Sequence, residues 1–246
     1  MADLRIFPDP DSLIHAAAGQ VAAAAQAAIR AHGRFTIALS GGSTPRPLYE
    51  LLSGPAFAPR IDWPNVHVFW GDERCVPPDH PDSNYRMAHE TLLSRVPLPE
   101  AHIHRLRGEL DPEQAAAGYD ALLRESFAAY GEGAPRFDLL LLGLGDDAHT
   151  ASLFPGTAAL HVTDRWAAAN YVEKLGAWRL TLTPPALNAA AEILVLASGA
   201  SKAGALHAVL NGPADPDQYP AQLLKPERGR LWWLIDRAAA ARLSGE

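Results

Sequence analysis

The sequence predicts an α/β fold, a Rossmann-like open and mostly parallel sheet with helices on both faces, and three observations predict it. Short apolar runs recur along the chain, each closing in small or charged residues. Segments of helical spacing fall between those runs, the alternation that builds parallel sheets. Runs such as Leu139-Leu140-Leu141-Leu142 are apolar without a break, which suits strands covered on both faces.

Taken in order, Asp9 can cap a helix with Pro10 in its first turn, and Leu13, Ile14, Ala17, Ala18, Val21 and Ala25 give it an apolar stripe until Gly33 stops it. The first element is therefore expected to be helical. Phe35–Leu39 reads as a strand, Ser40-Gly41-Gly42-Ser43-Thr44-Pro45 as a tight loop, and Leu48, Leu51 and Leu52 as the start of a second helix. The same order recurs at Val66–Trp70 before Gly71-Asp72-Glu73-Arg74, at 137–142 before Gly143-Leu144-Gly145, and at 193–197 before Ser198-Gly199. Helices are expected near 84–94, 113–130 and 202–210, with a last strand at 231–235 and an alanine-rich terminal helix after Asp236. If the strands are parallel, the loops that follow them share one edge, where such sheets bind ligands.

At 246 residues and 48% hydrophobic composition, with no long low-complexity stretch, one compact domain over 1–246 is expected. The formal charge of −7 speaks against a broad cationic face for nucleic acid or membrane, so an anionic ligand must be caught locally. Residues Met1 to Ile6 have no basic segment leading into an apolar one, and no apolar run reaches membrane-spanning length. Cys75, the single cysteine, has no disulfide partner in the chain and fits a reducing compartment; a cytoplasmic location is the expectation. Protein partners are unknown from sequence.

The loop Ser40 to Pro45 offers glycines that admit an anion to the backbone, hydroxyls that donate, and a following helix N-terminus, as a phosphate cradle requires. A glycine turn with Thr44 as N-cap would also account for it. It lacks the Gly-Lys-Ser/Thr ending of a nucleotide-binding P-loop. Gly143-Leu144-Gly145-Asp146-Asp147-Ala148 satisfies the dinucleotide fingerprint in letters, but Pro155-Gly156 breaks the chain where its helix belongs, so no nicotinamide or flavin site is expected. The next residue, His149, stands beside Asp146 and Asp147, a placement for a general base with a carboxylate to orient its ring. Asp72-Glu73-Arg74 places three charges at a strand end, and Arg179 and Lys202 are lone cations that matter as partners for an anion. No His-Glu-x-x-His spacing or paired cysteine suggests metal, and no Gly-x-Ser-x-Gly elbow suggests a serine nucleophile. Trp232 and Trp233 read as core. Residue chemistry alone leaves ester hydrolysis, isomerisation and deamination open, since each needs a base, an anion clamp and stabilised negative charge.

Five stretches carry a family likeness: Ser40 to Pro45; Trp70-Gly71-Asp72-Glu73-Arg74 with Ser83-Asn84; Gly143 to Pro155; Arg179-Leu180-Thr181; and Gly199 to Lys202. Together they resemble the ordered signatures of the 6-phosphogluconolactonase family, and Pro220-Ala221 and Trp233 to Ala239 resemble its C-terminal pattern. One departure is visible: Ala148 stands where the family usually has glycine. The resemblance implies the fold shared with glucosamine-6-phosphate deaminases and cofactor-independent hydrolysis of 6-phospho-D-glucono-1,5-lactone. It implies His149, Asp147 and Arg74 as catalytic, with Gly41, Gly42, Ser43, Thr44, Asp72, Arg179 and Lys202 binding a sugar phosphate lactone. Arg74 is left to either phosphate or oxyanion. A deaminase or isomerase, and an inactive sugar-phosphate-binding regulator, are the rival readings.

Overall fold

The computed structural model describes residues 2–131, 133–226 and 228–243. Six strands form the large sheet in the order β1-β9-β8-β5-β2-β3: β1 Ala2–Phe7, β2 Phe35–Leu39, β3 Val66–Trp70, β5 Leu139–Gly143, β8 Glu192–Ala197 and β9 Arg230–Asp236. Every neighbouring pair is parallel. Residues Phe35 to Leu39 are all buried, as are Leu139 to Leu142, so the inner strands are covered on both faces, and the α/β expectation holds.

The helices follow the local signals. Helix α1, Pro10–His32, begins with the Asp9 carboxylate accepting from Ser12 N–H at 2.7 Å and ends on Gly33 at φ 80. It is long and apolar enough to cross a membrane by length and composition, contrary to the expectation that no run would be, yet Leu13, Ala17, Ala18, Val21 and Ala22 lie in the core. Helices α2 Pro45–Leu52, α3 Asn84–Thr91, α4 Pro112–Ala129, α5 Pro184–Asn188 and α6 Ala203–Leu210 complete the set.

Three expectations need correction. The first element is strand β1, not a helix: Leu4 and Ile6 are exposed, so hydrophobic burial does not announce the strand, and pairing with β9 creates it. Asp72-Glu73-Arg74 is not a loop but strand β4, which joins β6 Ala167–Val172 and β7 Ala177–Leu182 in a three-stranded antiparallel sheet. Its Ala167-Ala168-Ala169 segment has helical composition, and the hairpin turned by Gly176 at φ 57 overrides it. The alanine-rich terminal helix is only a 3-10 turn, Ala239–Arg242, anchored where Asp236 accepts from Ala239 N–H at 2.7 Å.

Two buried tyrosines hold the strand ends from which the site loops leave. Tyr49 of α2 donates its hydroxyl to Ser40 O (2.8 Å) and accepts from Ser40 N–H (3.0 Å), just past β2. Tyr119 of α4 does the same for Trp70 at the end of β3, at 3.1 and 2.9 Å. Here the strands diverge and a peptide leaves the ladder, so each phenol supplies the missing donor and acceptor together.

At the other end of β3, His67 stacks on His102 with ring centres 3.9 Å apart, and His104 stacks on Phe69 at 4.3 Å. Burial, with the neighbouring imidazoles adding to it, pushes His67 and His104 down from 6.5 to about 4. Neutral in the fold but protonated when unfolded below pH 6.5, they give stability that is present above 6.5 and lost as pH falls through about 4. Denaturant midpoints should decline across that window, and a flat profile would contradict it. Tyr49→Phe leaves both Ser40 groups unsatisfied and should cost about 1–3 kcal/mol by urea unfolding, with the fold retained.

Candidate active site

Because the large sheet is parallel, the loops after β2, β3, β5 and β8 meet on one edge. A cleft there is lined by the loop from Ser40 to Pro45, by Asp72 and Arg74, by Gly143, Gly145, His149 and Ala151, and by Lys202. Gly41, Gly42, Ser43, Thr44, Asp72, Arg74, His149 and Lys202 are thus brought together as expected. Asp147 touches the histidine ring without lining the cleft, and Arg179 lines an adjoining groove that shares Arg74 with it.

In the Ser40 to Pro45 loop, Gly42 has φ 98, the left-handed region that favours glycine. Gly41 is required for another reason: a Cβ there would sit 1.7 Å from Asn84 Oδ1. Thr44 occupies the position before α2 but has helical dihedrals and makes no capping bond. A capped turn therefore does not explain its hydroxyl.

Asn84 is held in place by β4. Its amide donates to Asp72 O at 2.9 Å and Asp72 Oδ1 at 3.3 Å, while Ser152 donates its hydroxyl to Asp72 Oδ2 at 2.7 Å. Alternation along β4 turns the next residue, Glu73, the other way. There it accepts from the N–H groups of Asn84 (2.7 Å) and Tyr85 (2.8 Å) at the start of α3. Burial raises the Glu73 carboxyl, and these backbone donors oppose the rise.

His149 lies in the loop after β5. Its Nδ1 is 2.5 Å from Asp147 Oδ1, and its ring stacks on Phe154 with centres 4.1 Å apart. An ionised carboxylate only accepts, so Nδ1 carries the proton and Nε2 is left with its lone pair. Burial pushes the imidazole down from 6.5 to about 4; Lys202 and Arg179 add to this, and Asp72 and Asp146 oppose it. At neutral pH the ring is an unprotonated base. The loop is tight: a Cβ on Gly145 would lie 2.0 Å from Nδ1, and Ala148 and Ala151 adopt φ 65 and 47. The left-handed backbone at 148 explains why glycine suits that place; alanine there costs about 1–2 kcal/mol. Ala148 O is held by Ala221 N–H at 3.0 Å, which brings the Pro220–Leu223 turn onto the loop.

The cations are unequally placed. Arg74 and Arg179 face each other across β4 and β7, donate to the backbone carbonyls of Asp82 and Trp178, and have no carboxylate ion pair among the described residues. Like charges directly opposite are destabilising, and an anion between them removes the repulsion. Burial, then Arg74, lowers the Arg179 pKa. Lys202 is engaged by Asp146 at 2.5 Å, and that hydrogen bond holds the Asp146 carboxyl below its usual range.

Sequence reasoning missed the work of Asn84, Ser152 and Phe154, although all three fall inside the stretches that carry the family likeness. It also missed Lys174, a turn lysine that carries no signal of its own and that pairs with Asp147 through space.

Comparison with known proteins agrees with this architecture. The family model for glucosamine-6-phosphate isomerases/6-phosphogluconolactonase matches residues 8–233. A 6-phosphogluconolactonase of Nostoc sp. is 44% identical over 242 residues, covering 98% of both chains. The solved 6-phosphogluconolactonase from Trypanosoma cruzi superposes with TM-score 0.87 at 28% identity, over 100% of this chain and 98% of that one. A monomeric glucosamine-6-phosphate deaminase shares the fold, with TM-score 0.81 at 21% identity over 98% and 99% of the two chains. The chain belongs to the glucosamine-6-phosphate isomerase and 6-phosphogluconolactonase family.

Proposed function

We propose that the chain hydrolyses 6-phospho-D-glucono-1,5-lactone to 6-phospho-D-gluconate, the second step of the oxidative pentose phosphate pathway, in the cytoplasm and with protein groups alone. One observation carries the reading: His149, neutral and bonded through Nδ1 to Asp147, lines the same cleft as the glycine-hydroxyl loop and Arg74. One contiguous core running from α1 to β9 supports a single catalytic domain over 1–246.

In this mechanism Nε2 of His149 takes a proton from water as the water oxygen bonds to the lactone carbonyl carbon, and Asp147 holds the imidazolium that forms. The carbonyl oxygen becomes an oxyanion, and of the two cations lining the cleft Arg74, which has no carboxylate ion pair among the described residues, is the one assigned to it, while Lys202 is held by Asp146. Collapse re-forms the carbonyl and breaks the bond to the ring oxygen, which takes the proton back from His149 as it leaves as the sugar hydroxyl. Gly41, Gly42, Ser43 and Thr44 hold the phosphate through backbone and hydroxyl donors, with Arg179 and Lys202 as its counter-charges. Lys202 turns from Asp146 to do so. Asp72, whose oxygens already serve Asn84 and Ser152, suits a substrate hydroxyl rather than a phosphate, because a carboxylate repels the dianion.

The test is lactone decay, with substrate generated by glucose-6-phosphate dehydrogenase and spontaneous hydrolysis subtracted. Acceleration by this chain should fall by about 10²–10⁴-fold in His149→Ala, the share a positioned base contributes; undiminished turnover would remove His149 from the role. Since the ring stays neutral until pH falls through about 4, the corrected rate should halve near pH 4 and not near 6.5. Gly145→Ala, which drives a methyl into Nδ1, should depress kcat strongly while circular dichroism remains that of the wild type.

A further inference from the structure

Asp147 presents one oxygen to His149 and the other to a residue far away in the chain. Its Oδ1 bonds the His149 ring and also accepts from the His149 backbone N–H at 3.2 Å. Its Oδ2 is buried and ion-paired with the Lys174 ammonium. Lys174 sits in the 3-10 turn Glu173–Leu175, at the tip of the β6–β7 hairpin. Its Nζ also lies 4.8 Å from the centre of the Phe154 ring, the ring that stacks on His149. Lysine, carboxylate, imidazole and phenyl ring thus form one closed cluster.

The base of the same hairpin is bonded to the same loop. Asn170 of β6 donates to Ser152 O at 2.8 Å, and Ser152 N–H donates to Thr181 Oγ1 of β7 at 3.2 Å. Those are neutral bonds, whereas the tip sets a charge directly on Asp147. A half-exposed lysine loses side-chain entropy when held in one geometry, and a pair whose lysine stays largely in solvent returns little stability for it. The contact therefore has small worth as a fold contact, and its place against Asp147 is what distinguishes it.

We propose that Lys174 is a positioning residue: from the hairpin tip it fixes Asp147, and through Asp147 the plane of the His149 ring, so that β6–β7 acts as a strap over the acid–base pair. The inference rests on His149 as the base. The charged groups facing His149 are Asp146 and Asp147 from its own loop, Asp72 from β4, Arg179 from β7, Lys202 from the turn before α6, and Lys174 through Asp147. Without the lysine charge, Asp147 pulls unopposed on a protonated ring, and the ring keeps its proton to higher pH.

Lys174→Met keeps length and the apolar cover on Phe154 but removes the charge; Lys174→Gln removes the charge with a polar end, and Lys174→Arg restores it. In the full chain, His149 titration by NMR should move up by about one pH unit in the Met and Gln variants. The acid limb of kcat should move with it, KM should change less than kcat, and Lys174→Arg should return both. An unmoved His149 titration and acid limb in folded Met and Gln variants overturns the proposal and makes Lys174 a solvated surface cation. If the wild type shows no lactone turnover but the titration shift is present, the lactonase reading fails while the Lys174 coupling stands.

Discussion

Burying a carboxylate costs several kcal/mol unless hydrogen bonds replace its water, and Asp72, 8% exposed, is where this chain meets that demand. Its partners are chosen so that satisfying the carboxylate also builds the site. Asn84 reaches it from α3 and in doing so fills the space beside Gly41; Ser152 reaches it from the loop that carries His149. Two segments that are distant in sequence, α3 and the histidine loop, are therefore locked to one side chain, and the glycine-hydroxyl loop packs against one of them. Glu73, the next residue, anchors the start of α3 from the opposite side of β4, so two consecutive carboxylates fix both the helix and the loops around it.

Electrostatics at this edge are local. With 28 acidic residues against 21 basic, the chain as a whole does not attract an anion. Positive charge at this edge is concentrated instead in a few cations, and the register of β4 on β7 sets Arg74 opposite Arg179. The same edge keeps its histidine uncharged by burial against Phe154, so cations and an unprotonated imidazole coexist within a small volume.

Much of this was legible in the sequence, and what was not has a common cause. Strands β2 and β3 were readable to the residue because each is a short, mostly apolar run, interrupted by one polar residue (Thr36, His67) and closed by serine or glycine, and the cap at Asp9 and stop at Gly33 fixed α1. The glycine-hydroxyl loop and the histidine loop were readable because glycine, hydroxyl and acid residues cluster there against local propensity for regular structure. The small antiparallel sheet was not, since the β4 strand is three charged residues and β6 opens on three alanines; only pairing makes them strands. Strand β1 was missed for the same reason, and the Asp147–Lys174 pair because a contact across 27 positions of chain leaves no trace in local spacing.

The pairing of Ala2 with Leu231 and of Phe7 with Asp236 also sets an order of events during synthesis. Strands β2, β3 and β5, which carry the glycine-hydroxyl loop, the Asp72 segment and the histidine loop, lie between residues 35 and 143 and can find one another while later segments are still being made. The edge formed by β1 cannot close until β9 has left the ribosome, so a segment bearing Leu4 and Ile6 waits unpaired through most of translation. Asp3 and Arg5 alternate with Leu4 and Ile6 along this edge strand, and charges so placed disfavour pairing with the edge of another chain.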